Sequence, residues 1–294
     1  MRFVSNTGTT DVSIDGAVDD RDRLAVGLGV AALLAFAAVL AVGTAAGRST
    51  LVGIVLFAFL AMGGGVALQR YGTFATPSRR LWAYGLASGA MLASAAALLA
   101  PKAIGQHPQY GGFALAFGYL LGYAGHELGH LVTHRDLPVN AAVAELTLHA
   151  ALAGSIMGVV YGTLPSLTPL FGYGIVAHKL PAGFSGAETL ARDDLPRAVM
   201  ALPAAAVGLA AVPLSIATPD LGPIVEAAFY GVSTGVFAHV ALDMIPECTG
   251  GGSGHSHGGV ACGPDADRQR HHAVASTVAG AAALFVLWQL LVAI

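Results

Sequence analysis

Charge is what this chain has least of. Only 11% of its 294 residues are Asp, Glu, Lys or Arg, where a soluble globular chain carries about a quarter, and that excludes an ordinary water-soluble enzyme. Lysine is nearly missing, Lys102 and Lys179 being the whole complement. With 14 basic and 17 acidic side chains the net charge is -3, so no basic surface exists for nucleic acid and such partners are excluded. The two cysteines, Cys248 and Cys262, are too few for a disulfide framework.

What fills the chain instead is apolar: 55% hydrophobic side chains and 39 glycines, a composition suited to close helix packing in lipid. Runs of about 20 apolar residues, enough to cross about 30 Å of hydrocarbon, lie at 24–46, 51–69, 81–100, 112–134, 140–163, 169–190, 196–217, 222–246 and 272–293. Lipid leaves backbone N–H and C=O groups no water to bond, so such runs must be helices. The expectation is an all-α integral membrane protein with about nine transmembrane helices. Residues 1–23, with Asp11, Asp15, Asp19, Asp20 and Asp22, read as a disordered tail. That tail and the length of the first run argue against a cleaved signal peptide. Residues 24–294 read as one polytopic membrane domain.

Positive charge sets the orientation. With a cytoplasmic N-terminus the inner side collects Arg2, Arg21, Arg23, Arg70, Arg79, Arg80, Arg135, Arg192, Arg197, Arg268 and Arg270, and the outer side only Arg48 and Lys102. The expected location is the plasma membrane, multi-pass, N-terminus inside. The His- and Gly-rich loop at 248–272 is then cytoplasmic; its His255, His257, Cys262, His271 and His272 suit weak metal capture, or simply a flexible linker.

Several ionisable side chains nevertheless fall inside the apolar runs: His126, Glu127 and His130; Glu145 and His149; His178, Lys179 and Glu188; His239, Asp243 and Glu247. Each costs about 2.5–3.5 kcal/mol at mid-membrane and so needs a partner or a purpose. Imidazole mixed with carboxylate suits Zn, Fe, Mn or Ni rather than Ca or Mg. The plain alternative is hydrogen bonding between helices, with Lys179 neutralised by Glu145 or Asp243.

His126-Glu127-Leu128-Gly129-His130 is an HExxH, which on a helix turns both imidazoles to one face to bind Zn with the glutamate as general base. It resembles intramembrane metalloproteases of the site-2 protease family. In that resemblance Asp243 of Leu242-Asp243-Met244 supplies the third ligand, although Met244 stands where that family has Gly.

A longer resemblance covers about residues 50–294. The stretch from Ser88-Gly89-Ala90-Met91-Leu92 to Ala100-Pro101-Lys102-Ala103 is similar to the second helix of the ZIP family of divalent-metal transporters. Gly118-Tyr119-Leu120-Leu121 to His134 resembles the third, and Leu148-His149-Ala150-Ala151-Leu152-Ala153-Gly154 the HNxPEG of the fourth. Ala177-His178-Lys179-Leu180-Pro181-Ala182-Gly183 resembles the HExPEG of the fifth, and Val240-Ala241-Leu242-Asp243-Met244-Ile245-Pro246-Glu247 the seventh. The resemblance implies a ZIP-like eight-helix core plus one extra N-terminal helix. It also implies a divalent metal ion as cargo, zinc favoured over iron or manganese, carried into the cytoplasm. His149 and His178 carry over as ligands; Ala153, Ala182, Lys179 and Lys102 stand where the family has acids. By helical geometry Glu145, one turn before His149, can replace a lost acid. The partners expected are the ion, the lipid bilayer and, left open, a second copy in a homodimer. The transport site is expected to centre on His149 and His178, with the HExxH group and Asp243 nearer the cytoplasm.

Overall fold

Helices are the only open element that satisfies its own backbone in lipid, and the computed structural model is built almost wholly from them. It describes residues 14–72, 76–133, 141–164, 166–192, 194–249, 259–261 and 266–292. In chain order these form α1 (Ile14–Ala45), α2 (Ser49–Arg70), α3 (Pro77–Ser94), α4 (Ala100–Gln106), α5 (Pro108–Thr133), α6 (Ala141–Thr163), α7 (Pro169–Val176), α8 (Lys179–Arg192), α9 (Ala201–Ala217), α10 (Pro223–Asp243) and α11 (Ala266–Val292). A three-residue parallel pair, β1 (Glu247–Thr249) with β2 (Gly259–Ala261), lies between α10 and α11.

Seven helices among the described residues are long and apolar enough to cross a membrane, the architecture of a multi-pass helical membrane protein. Nine were expected, and two segments make the difference. α5 has the length, 26 residues, but Gln109, Tyr110, Tyr119, Tyr123 and five glycines in its first 18 residues dilute its apolar character. The run at 169–190 is not one helix: it divides into α7 and α8, of 8 and 14 residues, each too short to span. α1 starts at Ile14, inside the expected tail, while its spanning part, Arg23–Ala45, agrees with the first run. α11 likewise starts at Ala266, inside the expected loop; residues 250–258 and 262–265, with His255, His257 and Cys262, lie outside the described residues.

Two prolines explain the irregularities. Pro101 has no N–H for the carbonyl four residues back and its ring crowds that carbonyl. The helix absorbs this by widening into a π-turn at Ala95–Leu99, where the Ala100 N–H bonds the Ala95 carbonyl, and a 29-residue helix, Ser78–Gln106, runs on through it. Pro181 presents the same defect to Ala177, and there the helix breaks. α7 closes with Ala177 N–H on the Gly174 carbonyl, and α8 opens with Ala182 N–H on the His178 carbonyl.

The helices pack as two sets. In one, α3 lies along α11, and α10 lies along α5 while also touching α4 and α3; in the other, α6 lies along α9, α2 along α8, and α1 covers α9. α7 sits between, against α2 and α3. Small residues let backbones meet within each set. On α5 and α10, Gly118 abuts the Val232 carbonyl, Gly235 abuts Leu115 and Tyr119, and Gly122 faces the His239 ring. These contacts advance together, so α5 and α10 run parallel.

Gly235 and Gly112 form a matched test of this packing. A Cβ at Gly235 would collide with the Leu115 carbonyl oxygen and the Tyr119 nitrogen, whereas one at Gly112 meets nothing within 4 Å. Gly235→Val is expected to destabilise the fold by about 1–3 kcal/mol through overpacking, and Gly112→Ala to leave it unchanged or slightly firmer. Thermal unfolding in detergent reads both.

Candidate functional site

The break before Pro181 builds the most distinctive polar arrangement in the apolar interior. With the helix interrupted, the Ile175 carbonyl accepts a hydrogen bond from His178 Nδ1 at 2.7 Å. A carbonyl only accepts, so Nδ1 carries the proton and Nε2 presents a lone pair. His178 is almost fully buried. Its Nε2 lies 3.4 Å from Nε2 of His149 on α6, with the two rings edge to face, 5.5 Å between centroids and 80° between planes.

That spacing has chemical meaning. Two Zn–N bonds of about 2.0–2.1 Å at a tetrahedral angle set their nitrogens about 3.3–3.4 Å apart. The outward Nδ1–H bond to a backbone carbonyl is also the support that fixes tautomer and ring orientation in metal-binding histidines. The pair can therefore share one proton in an N–H···N bond, or exchange that proton for a divalent ion.

The remaining expected ligands are distributed differently. Glu145 is half-buried one turn before His149 on α6, and Asp243 ends α10. Among the described residues no three His, Cys, Asp or Glu side chains gather into a metal-holding group, so neither carboxylate completes the pair. The side chains of His126, Glu127 and His130 lie outside the described residues, as does that of Glu247. The backbone of positions 126, 127 and 130 on α5 is described, and the Gly122 to His239 contact carried one turn further along the parallel helices leads from position 126 toward Asp243.

Lys179 follows His178 directly and is equally buried, 2% exposed. No ion pair or hydrogen bond reaches it among the described residues, so its expected neutralisation by Glu145 or Asp243 does not occur there. His239 packs edge-on against Tyr119 and Tyr123, with centroids 5.3 and 6.2 Å away. Glu188, which reads from sequence as an intramembrane acid, pairs with Arg80 of α3 at 3.1 Å and with Arg192 at 3.0 Å. The second of these pairs was readable as a Glu-to-Arg step four residues apart on one helix face. The first joins residues 108 apart in sequence, and no local pattern announces it. Ser94, fully buried with no partner for its hydroxyl among the described residues, faces Gly174 of α7 and was likewise silent in the sequence.

No protein-family model matches the chain, and no curated protein is significantly similar to it. Fold and site together define a helical membrane protein with a part-buried imidazole pair at a helix break.

Lys179 carries a direct prediction. Its amine is held away from water with no ion pair or hydrogen bond among the described residues, and an uncompensated buried polar group costs about 1–3 kcal/mol. Lys179→Met keeps the length and removes the polar end, so it is expected to raise the melting temperature in detergent. A lower one would mean that the amine has a stabilising partner.

Proposed function

We propose that the chain is a transporter of divalent transition-metal ions, zinc favoured and iron or manganese also fitting the donor chemistry. The ion binds between His149 and His178 and passes downhill into the cytoplasm by alternating access. The observation that carries this is the 3.4 Å Nε2 to Nε2 spacing, with His178 oriented through its Nδ1 by the Ile175 carbonyl. The similarity of the flanking sequences to the ZIP family supports the same reading, with an eight-helix core and α1 as the addition. Two neutral imidazoles leave the ion's charge intact, and no carboxylate among the described residues joins them. This favours one weakly held ion over two and suits release on the far side. The charge bias puts the arginine-rich end in the cytoplasm, with the protein in the plasma membrane.

Zinc uptake into proteoliposomes is the test. His149→Ala combined with His178→Ala is expected to lower the rate at least about tenfold, the loss of two direct ligands being worth more than the tenfold commonly lost with a supporting group. Equal rates would overturn the site.

A second reading has support of its own: continuing the Gly122 to His239 approach of the parallel helices by one turn carries position 126 toward Asp243, as an intramembrane zinc protease would need. There Glu127 is the general base and His126, His130 and Asp243 hold zinc. The purified protein would then cleave a membrane-spanning substrate and Glu127→Gln would abolish cleavage while retaining zinc. Under the transport reading the unaltered protein cleaves nothing.

A further inference from the structure

The two helix sets meet along a seam that runs mainly between α3 and the α7–α8 pair. Just inside its arginine-rich end the seam is poorly filled: a groove of about 450 Å³ opens between Trp82, Ala83, Leu86 and Ala87 on one side and Ala177 and Leu180 on the other. Apolar packing therefore does not close this end. Polar contacts do. Arg80 on α3 reaches across to Glu188 on α8 at 3.1 Å, and its guanidinium lies 5.3 Å from the centre of the Phe184 ring. Glu188 is shared with Arg192, one turn on along its own helix, at 3.0 Å. Further in, the Tyr84 hydroxyl makes a long contact, 3.5 Å, to the Pro181 carbonyl and a side-chain hydrogen bond with Ser185. The opposite end is held differently, by the neutral bond from Tyr230 on α10 to the Thr163 hydroxyl on α6 at 2.7 Å, and by the close approach of Ser94 and Gly174.

We infer that the Arg80, Glu188 and Arg192 cluster is a breakable latch that closes the arginine-rich end of the seam over the groove leading to the helix break. One carboxylate holds two guanidiniums, and losing its charge releases both at once. The Arg80 and Glu188 side chains are 32% and 25% exposed, so water and salt reach the pair and it can open without unfolding its surroundings. The purpose of the opening, passage of the ion, rests on the transport reading. The latch does not.

Thiol labelling separates the two. With Cys248 and Cys262 changed to Ser and Ala87→Cys as reporter in the groove, the protein in lipid nanodiscs is treated with a water-soluble maleimide. Glu188→Gln and Arg80→Gln are each expected to speed labelling about twofold or more, because each removes the pair that crosses the seam. Arg192→Gln, which touches only the pair within α8, is expected to match the parent. Raising salt to about 1 M is expected to speed the parent and not Glu188→Gln, since a screened pair is already lost there. The salt series needs no substitution in the cluster, so it decides the matter even where a variant fails to fold. Parent rates in Glu188→Gln and Arg80→Gln, or a parent indifferent to salt, overturn the latch whether or not zinc is carried. The expected order in a protein that carries no zinc confirms the latch and removes the transport reading.

Discussion

One missing hydrogen-bond donor organises this molecule. Pro181 cannot bond the Ala177 carbonyl and its ring pushes against it, so a run apolar enough for a single span becomes α7 and α8. The break frees the Ile175 carbonyl to hold His178 by Nδ1. That hold aims Nε2 at His149 and leaves Lys179 at the first position of α8, deep in the interior. Pro101 shows that the outcome is not automatic. There the helix widens by a π-turn and continues, which suits an element that must run straight beside α10 and α11. Pro246, by contrast, lies just beyond the end of α10.

Close packing gives the break a rigid setting. α6 and α9 approach through Gly154 and Gly158, α3 and α11 through Gly85, Gly89 and Gly280, and α2 and α8 through Gly65 and Gly183. Lipid offers no hydrophobic drive between helices, so this intimate contact is what association in a bilayer rests on. The seam between the sets lacks it over the stretch around Trp82 and Leu180. Charge and aromatic contact take over at Arg80, Glu188 and Phe184, which couples the set holding the imidazole pair to its neighbour by interactions that are reversible and sensitive to salt.

The chemistry of the pair follows from the same economy of charge. His149 and His178 meet with no carboxylate gathered around them among the described residues, so under the transport reading the pair would hold a cation without neutralising it. Such a site is poor for storage or for a structural metal, which wants four closed ligands. It is better suited to brief occupancy.

The sequence by itself determined the helical membrane character, because low charge and long apolar runs leave lipid as the only solvent and helix as the only open backbone solution. It also placed His149 and His178 on consecutive apolar segments at similar depth, since positions in a helix follow from residue count. Pro181 was in plain view inside the run at 169–190, and its effect on Ala177 follows from backbone chemistry alone; reading hydropathy without it produced a span where there is a break. Whether Glu145 and Asp243 would join the histidines was not legible, nor was whether Lys179 would find an acid or Glu188 would turn to Arg80 rather than to the interior. Those outcomes depend on which helix faces meet and at what register, and that is decided by glycine contacts between segments up to about two hundred residues apart, such as Gly89 against Thr277, for which sequence spacing holds no signal.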